Sequence, residues 1–388
     1  MESTFPQLFL RRLGASNFLI GLIPTLFYIG LSVFSLFSGF FTSHLKQKRL
    51  AVIILHIFAA VPMLIFGIFL KFTGFIPSTL KLFFAAYALF SVGIGLILPT
   101  WQNYLVKIFT EDKVISAHSV MWISQSLGKF LSGFIILKII SKYSFSSEGA
   151  SMIFSLVGLL FVVGSLMFFI TKEAQTQRYS ENAPSRLKTF IEDLRAAFHN
   201  RNFLFFLGSE FEQFAVISIL SFYANYATQY CSVKPYLAAG LFVVLNYSGS
   251  IIINIIFGWL GFLSLKNKYL TAKSLSLLTI TLLYFFPTLW AFLTASFLMG
   301  VSRGTRSLVY APTVKKISGI ADSTNFFAVA PILIMPFGAG IPLLAGTFLD
   351  RFSYLGTEAY RLMFLGMGVL VVLGIIFLVK VKLNEPET

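Results

Sequence analysis

Residues 38–50 read SGFFTSHLKQKRL: an apolar helix end, then a turn that holds Lys46, Lys48 and Arg49. What flanks the turn decides its meaning. On either side run unbroken apolar segments of about 20 residues, the length that crosses a hydrocarbon layer of roughly 30 Å. A similar turn, GWLGFLSLKNKYL, fills 258–270 and carries Lys266 and Lys268. A short basic turn between two apolar runs is the loop of a chain that crosses a membrane repeatedly.

Composition agrees. Of 388 residues, 57% are hydrophobic and 12% charged, and the mean hydropathy is +0.83. A soluble core of this length could not hide so much apolar surface. In lipid only helices and closed barrels satisfy their own backbone hydrogen bonds. Barrel strands alternate every second residue, whereas these runs are continuous. The expected class is therefore an all-α polytopic membrane protein. A net charge of +15 would suggest nucleic acid in a soluble chain. Here Lys and Arg sit in short loops, so topology accounts for them and no nucleic-acid partner is expected. The single cysteine, Cys231, excludes an internal disulfide framework and argues against a metal cluster. Neither metal nor cofactor is expected. Residues 1–17 contain Arg11 and Arg12 and no sustained apolar core, so the first span is expected to act as its own insertion signal.

Eleven spans are expected, at about 18–41, 50–72, 80–102, 117–141, 149–171, 202–224, 236–263, 269–286, 288–312, 323–348 and 359–381. The one long polar segment, 172–201, separates five spans from six. Its second half, SRLKTFIEDLRAAF, has the spacing of an amphipathic helix lying along the membrane surface. This gives a first bundle over 1–171, a linker over 172–201 and a second bundle over 202–388. With the HLKQKR turn placed in the cytoplasm, that side holds more Lys and Arg than the other, and the C-terminus falls inside.

An internal repeat supports the division. Gly39 and Gly258 each open a helix end followed by a Lys-rich turn. LPTWQNYLVKI from Leu98 and APTVKKISGI from Ala311 each place Pro-Thr near a helix end, at nearly the same offset of half the chain. Parallel repeats related by an axis along the membrane normal are a transporter plan. The second half spends a full extra span before its glycine, so the first half is expected to lack one helix at its front.

These residues resemble the major facilitator superfamily, whose members have twelve helices in two bundles and a G-x-x-x-D-R-x-G-R-K/R turn between the second and third. In GFFTSHLKQKRL, Gly39, Lys46, Lys48 and Arg49 match; Ser43 stands for the family's Asp and His44 for its Arg. The second copy keeps Gly258, Lys266 and Lys268 and has no acid. RRLGASNFLIGLIPTLF, PTWQNYLVKI and GTFLDRFSYLG also resemble bacterial members, so the likeness covers nearly the whole chain. It implies a gating role for the two turns and a start at the family's second helix. Either the first helix is lost or the true start codon lies upstream of Met1.

Charges within spans are costly and usually functional. Glu210 and Glu212, in GSEFEQFAV, are the acids deep in a span. Glu210, Gln213 and Ser221 share a helix face with Asn225 at its edge, and Glu212 points the opposite way. Two readings stand for Glu210: a proton or cation site, or a partner for an Arg that locks two helices. Trp122, Gln125, Lys129 and Ser132 form one stripe. Lys129, midway along its span, needs an anion, a carboxylate or a watery cavity; with Gln125 and Trp122 it reads as a contact for a solute anion or a coupling site, or as a structural partner of Glu210 or Glu212. Arg303, Arg306 and Tyr310 share a face of another span; Arg303 is the better candidate for a solute anion. Arg306 is expected to reach the cytoplasmic interface. Asn246, Ser250 and Asn254 read as hydrogen-bond glue between helices, and Pro331, Pro336 and Pro342 as points of bending.

No catalytic constellation is present: there is no His-Glu-x-x-His, and the loops are too short for a catalytic domain. An enzyme is not expected. The expected function is secondary active transport of a small anionic or zwitterionic solute by alternating access, with possible coupling to protons, in a monomer of the inner membrane whose other partner is lipid. The alternative is a transport-inactive sensor or assembly protein of the same build.

Overall fold

The computed structural model describes residues 4–42, 45, 47–108, 114–173, 195, 197–318 and 324–383. Ser43, His44, Lys46 and nearly all of the linker and its expected amphipathic helix lie outside the described residues. Among the described residues there are helices and no strands. In chain order they are α1 (Phe5–Arg12), α2 (Asn17–Ile29), α3 (Ser35–Thr42), α4 (Arg49–Thr73), α5 (Thr79–Ile108), α6 (Val114–Tyr143) and α7 (Ser147–Leu166). After the linker come α8 (Arg201–Ser209), α9 (Phe211–Tyr230), α10 (Phe242–Ile253), α11 (Leu265–Phe285), α12 (Leu289–Ser318), α13 (Thr324–Arg351) and α14 (Thr357–Lys380). Short π-helical turns join α2 to α3 and flank α10.

Nine spans among the described residues are long and apolar enough to cross a membrane. α11 and α12 are helices of similar length that fall outside this set on composition. They carry Lys266, Lys268 and Lys273, and Arg303, Arg306, Lys315 and Lys316. The surface is apolar, with Ile54, Ile65, Leu160, Leu344 and Val379 exposed, as a surface facing hydrocarbon should be.

One helix was not anticipated. Residues 5–12 show no sustained apolar core, yet Phe5, Leu8, Phe9 and Leu10 of α1 are buried. Phe9 packs edge-on to Phe154 of α7 with ring centroids 5.1 Å apart, and Phe154 meets Phe66 of α4 at the same distance. The apolar stretch is too short to register as a span, but its aromatic rings complete a core shared by α1, α4, α5 and α7.

Two seams join helices before the linker to helices after it. In one, α2 lies along α13. Gly346 makes this approach possible: a Cβ there would fall 2.3 Å from the Asn17 carbonyl oxygen. Thr25 Oγ1 donates to the Ala339 carbonyl at 2.6 Å and Ser32 Oγ to that of Pro331 at 2.9 Å. In the other, α6 lies along α10 and its preceding turn. The Asn246 side chain donates to the Ser296 carbonyl at 3.2 Å, tying α10 to α12. The glue reading of Asn246 matches this bond.

Candidate functional site

The sixth expected span is two helices. α8 ends at Ser209 and α9 starts at Phe211, with Glu210 at the break. A break inside a membrane leaves backbone groups that must find partners. Lys273 Nζ, on α11, donates to the Ser209 carbonyl at 2.6 Å. The same ammonium ion-pairs with Glu212 at 3.5 Å. Ser276 and Ser302 donate to Glu212 Oε1 at 2.5 and 2.7 Å. Thus Glu212 is fully engaged on the side facing α11 and α12, opposite to Glu210 as its helical position requires. Lys273 is fully buried and was missed in the sequence. It lies two turns past a basic loop, where lysines are ordinarily topological, and only the broken helix reveals its task.

Glu210 is fully buried and ion-pairs with Arg306 at 2.5 Å. Arg306, expected at the membrane interface, instead turns inward. Its guanidinium carbon sits 4.8 Å from the Tyr310 ring centroid, so the guanidinium meets the carboxylate at Nε and the ring at its face. Tyr310 in turn meets Phe206 at 5.6 Å. The second carboxylate oxygen of Glu210, Oε1, makes no hydrogen bond among the described residues. Tyr28 of α2 is close enough to Arg306 to interact electrostatically, and its ring is edge-on to Phe214 at 5.7 Å. This tyrosine brings the α2 side of the molecule to the ion pair.

Beside this pair lies a cavity of about 560 Å³, counting the part open to its surroundings. Gln7 of α1, Ile23, Pro24, Phe27 and Tyr28 of α2, and Tyr87 of α5 form one wall; Ile217, Leu220 and Ser221 of α9 and Arg303 of α12 form the other. Among the described residues, Arg303 is the charged one in this lining. Its wall spans both sides of the linker. Gln7, Tyr28 and Tyr87 carried no sequence signal, since a lone Tyr or Gln on an apolar helix is ordinary.

Other sequence candidates sit elsewhere. Lys129 donates to Gln125 at 3.3 Å and lies 5.3 Å from the Tyr247 ring centroid, in the α6–α10 seam. Glu210 and Glu212 are taken by Arg306 and Lys273, so neither is the partner of Lys129. The Trp122 side chain lies outside the described residues. Gln213 is buried on α9, one turn from Glu210. Gly39 falls in α3 and Gly258 in the π-helical turn after α10. Lys266 Nζ donates to the Val379 and Val381 carbonyls at 2.9 and 3.0 Å, closing the C-terminal end of α14, and Lys268 Nζ donates to the Phe257 carbonyl at 2.8 Å. At the first turn, the backbone N–H groups of Lys48 and Arg49 donate to Glu173 at 2.8–2.9 Å. An acid does meet this turn, but it arrives from the end of the α7 segment.

The family model described as Major Facilitator Superfamily matches residues 3–306. The chain belongs to the major facilitator superfamily. No curated relative matches its sequence. Among solved structures, the nucleoside transporter NupG superimposes with a TM-score of 0.72 at 13% identity, covering 98% of this chain and 96% of that one. A bacterial homologue of the human lysosomal transporter Spinster, inward-facing and unoccupied, gives 0.65 at 13% identity, covering 97% and 91%. A peptide transporter of the POT group gives 0.68 at 15% identity, covering 92% and 84%. At these identities the likenesses speak for the fold alone. The superfamily member described here is thus a multi-pass, all-helical membrane protein.

Proposed function

We propose that this superfamily member is a secondary transporter that carries a small anionic or zwitterionic solute by alternating access. The observation that carries the reading is the cavity whose walls come from both sides of the linker, with Arg303 facing it. A site shared by two rocking units is what alternating access needs. We take the units to be 1–171 and 202–388, joined by 172–201, and the end bearing Lys48 and Arg49 to be cytoplasmic, with the C-terminus on that side, in the inner membrane of the cell.

Glu210 is the proposed coupling site. A buried carboxylate held by one guanidinium and with one oxygen unsatisfied can exchange its cation for a proton. Protonation would release Arg306 toward Tyr310 and Tyr28, and so bias the two units. Lys129 and Gln125 we assign to the α6–α10 seam, and the turns at Gly39 and Gly258 to gating. The experiment is uptake into proteoliposomes with and without a pH gradient, comparing the unmodified protein with Glu210→Gln. Stimulation by the gradient in the former and its loss in the latter are expected. Equal stimulation in both removes Glu210 from coupling.

A further inference from the structure

A coupling carboxylate needs a route for its proton, and the helices around Glu210 supply one, on the reading that Glu210 is the coupling site. We propose that protons reach Glu210 from the end of the 258–270 turn, through a buried file of water between α8, α11 and α12. The file runs past Tyr269 and Thr313 and is separate from the Arg303 cavity.

The first observation is a set of orphaned polar atoms. Glu210 Oε1, the Tyr269 hydroxyl and the Thr313 hydroxyl are buried, and none makes a hydrogen bond among the described residues. A threonine inside a helix commonly donates to the carbonyl one turn back, as Thr305 does to Val301 at 2.8 Å. Thr313 does not. Unpaired groups of this kind are costly, and water is their usual partner inside a protein.

The second observation is their order along the helices. Asn200, which caps α8, donates to the Ile317 carbonyl at 3.4 Å, so the start of α8 adjoins the end of α12. At 1.5 Å per residue, Glu210 lies about 13 Å beyond Arg201. Tyr269 lies only about 6 Å into α11, and Thr313 about 7 Å before the end of α12. Both hydroxyls therefore stand between that end and the carboxylate.

The third is proximity. Tyr269 and Tyr310 meet opposite partners of one ring, Phe206, with centroids 5.9 and 5.6 Å away, and Tyr269 interacts electrostatically with Glu210. Arg306 and Tyr310 of α12, Tyr269 of α11 and Tyr28 of α2 are the charged and titratable groups around Glu210. Lys273 is held by Glu212 on the other side. α13 carries no charged residue before Asp350, and α14 none between Arg361 and Lys380. A proton leaving the file joins the carboxylate at Oε1. Each water and hydroxyl on the way accepts one proton and gives one, and Arg306 stays charged.

The test is time-resolved infrared spectroscopy of the full-length protein after a jump in pH, with the proton as the probe. The carboxyl C=O band that Glu210→Gln removes reports protonation of Glu210. Tyr269→Phe combined with Thr313→Val should slow its rise roughly tenfold and abolish O–H bands that shift in heavy-oxygen water. An unchanged rate overturns the proposal, as does the lack of any isotope-sensitive band that the variant loses. Where the double variant does not accumulate, Thr313→Val alone decides by the same rate. Failure of the coupling reading looks different. Protonation by this path in vesicles whose uptake ignores a pH gradient defeats coupling alone; gradient-driven uptake with the rate unchanged in the variants defeats the path alone.

Discussion

Asp350, at the end of α13, holds the first turn of α2 through Asn17. Its carboxylate accepts the backbone N–H groups of Asn17 and Phe18 at 2.8 Å each, and the Asn17 side-chain amide at 3.0 Å. The first N–H groups of a helix have no partner within it, and the helix dipole favours an anion there. The acid that satisfies them comes from the other side of the linker, so a helix cap doubles as a latch between the two proposed units.

Asp350→Ala removes both the cap and the charge, which is worth about 1–2 kcal/mol at a helix N-terminus. The seam should open more often at this end. A cysteine at Thr25, a buried seam residue, introduced after Cys231→Ala, should then react with a polar maleimide several times faster than with Asp350 intact. Equal rates would show that Gly346 and the packing along the seam hold it without the latch.

Lys273 serves two acceptors, and its loss should be felt in stability. Lys273→Met leaves Glu212 buried without its cation and Ser209 without a donor. Removing one member of a buried pair costs about 3–5 kcal/mol, whereas removing both charges can be nearly neutral. Thermal unfolding in detergent should show a large drop for Lys273→Met and a substantial recovery in the double variant Glu212→Gln, Lys273→Met. A single variant as stable as the unmodified protein would contradict the pairing.

Much of this was legible beforehand, and the exceptions have physical causes. Long apolar runs located the spans closely: 50–72 became Arg49–Thr73, and 359–381 became Thr357–Lys380. α1 was hidden because eight residues cannot form a span and their burial depends on rings in α4, α5 and α7. The opposite facing of Glu210 and Glu212 followed from helical geometry. Their partners did not, because Arg306 and Lys273 lie on other helices whose rotation no single sequence fixes. Asp350 and Glu173 carry no sequence signal for the same reason: each caps a helix remote in sequence.

Glu173 offers a local check on the basic turn. It accepts from the first N–H groups of α4, while Arg49 donates to the Thr171 carbonyl at 2.9 Å. The family's acid is absent from the turn itself, where Ser43 stands. Glu173→Ala should therefore cost about 1 kcal/mol, the usual scale of an N-cap. It should also speed amide hydrogen exchange in the first turn of α4. Unchanged exchange there would mean that solvent or neighbouring groups satisfy those donors equally well.

The central claim is that the two halves rock about the Arg303 cavity, and distances between paired spin labels test it most directly. One pair, at Arg12 and Tyr354, spans the end that Asp350 latches; the other, at Gln47 and Lys316, spans the end of the basic turn. Both are placed in a Cys231→Ala background. Lowering the pH, or adding a bound solute, should widen one pair while narrowing the other, as alternating access requires. Two distances that stay fixed, or that widen together, would contradict it.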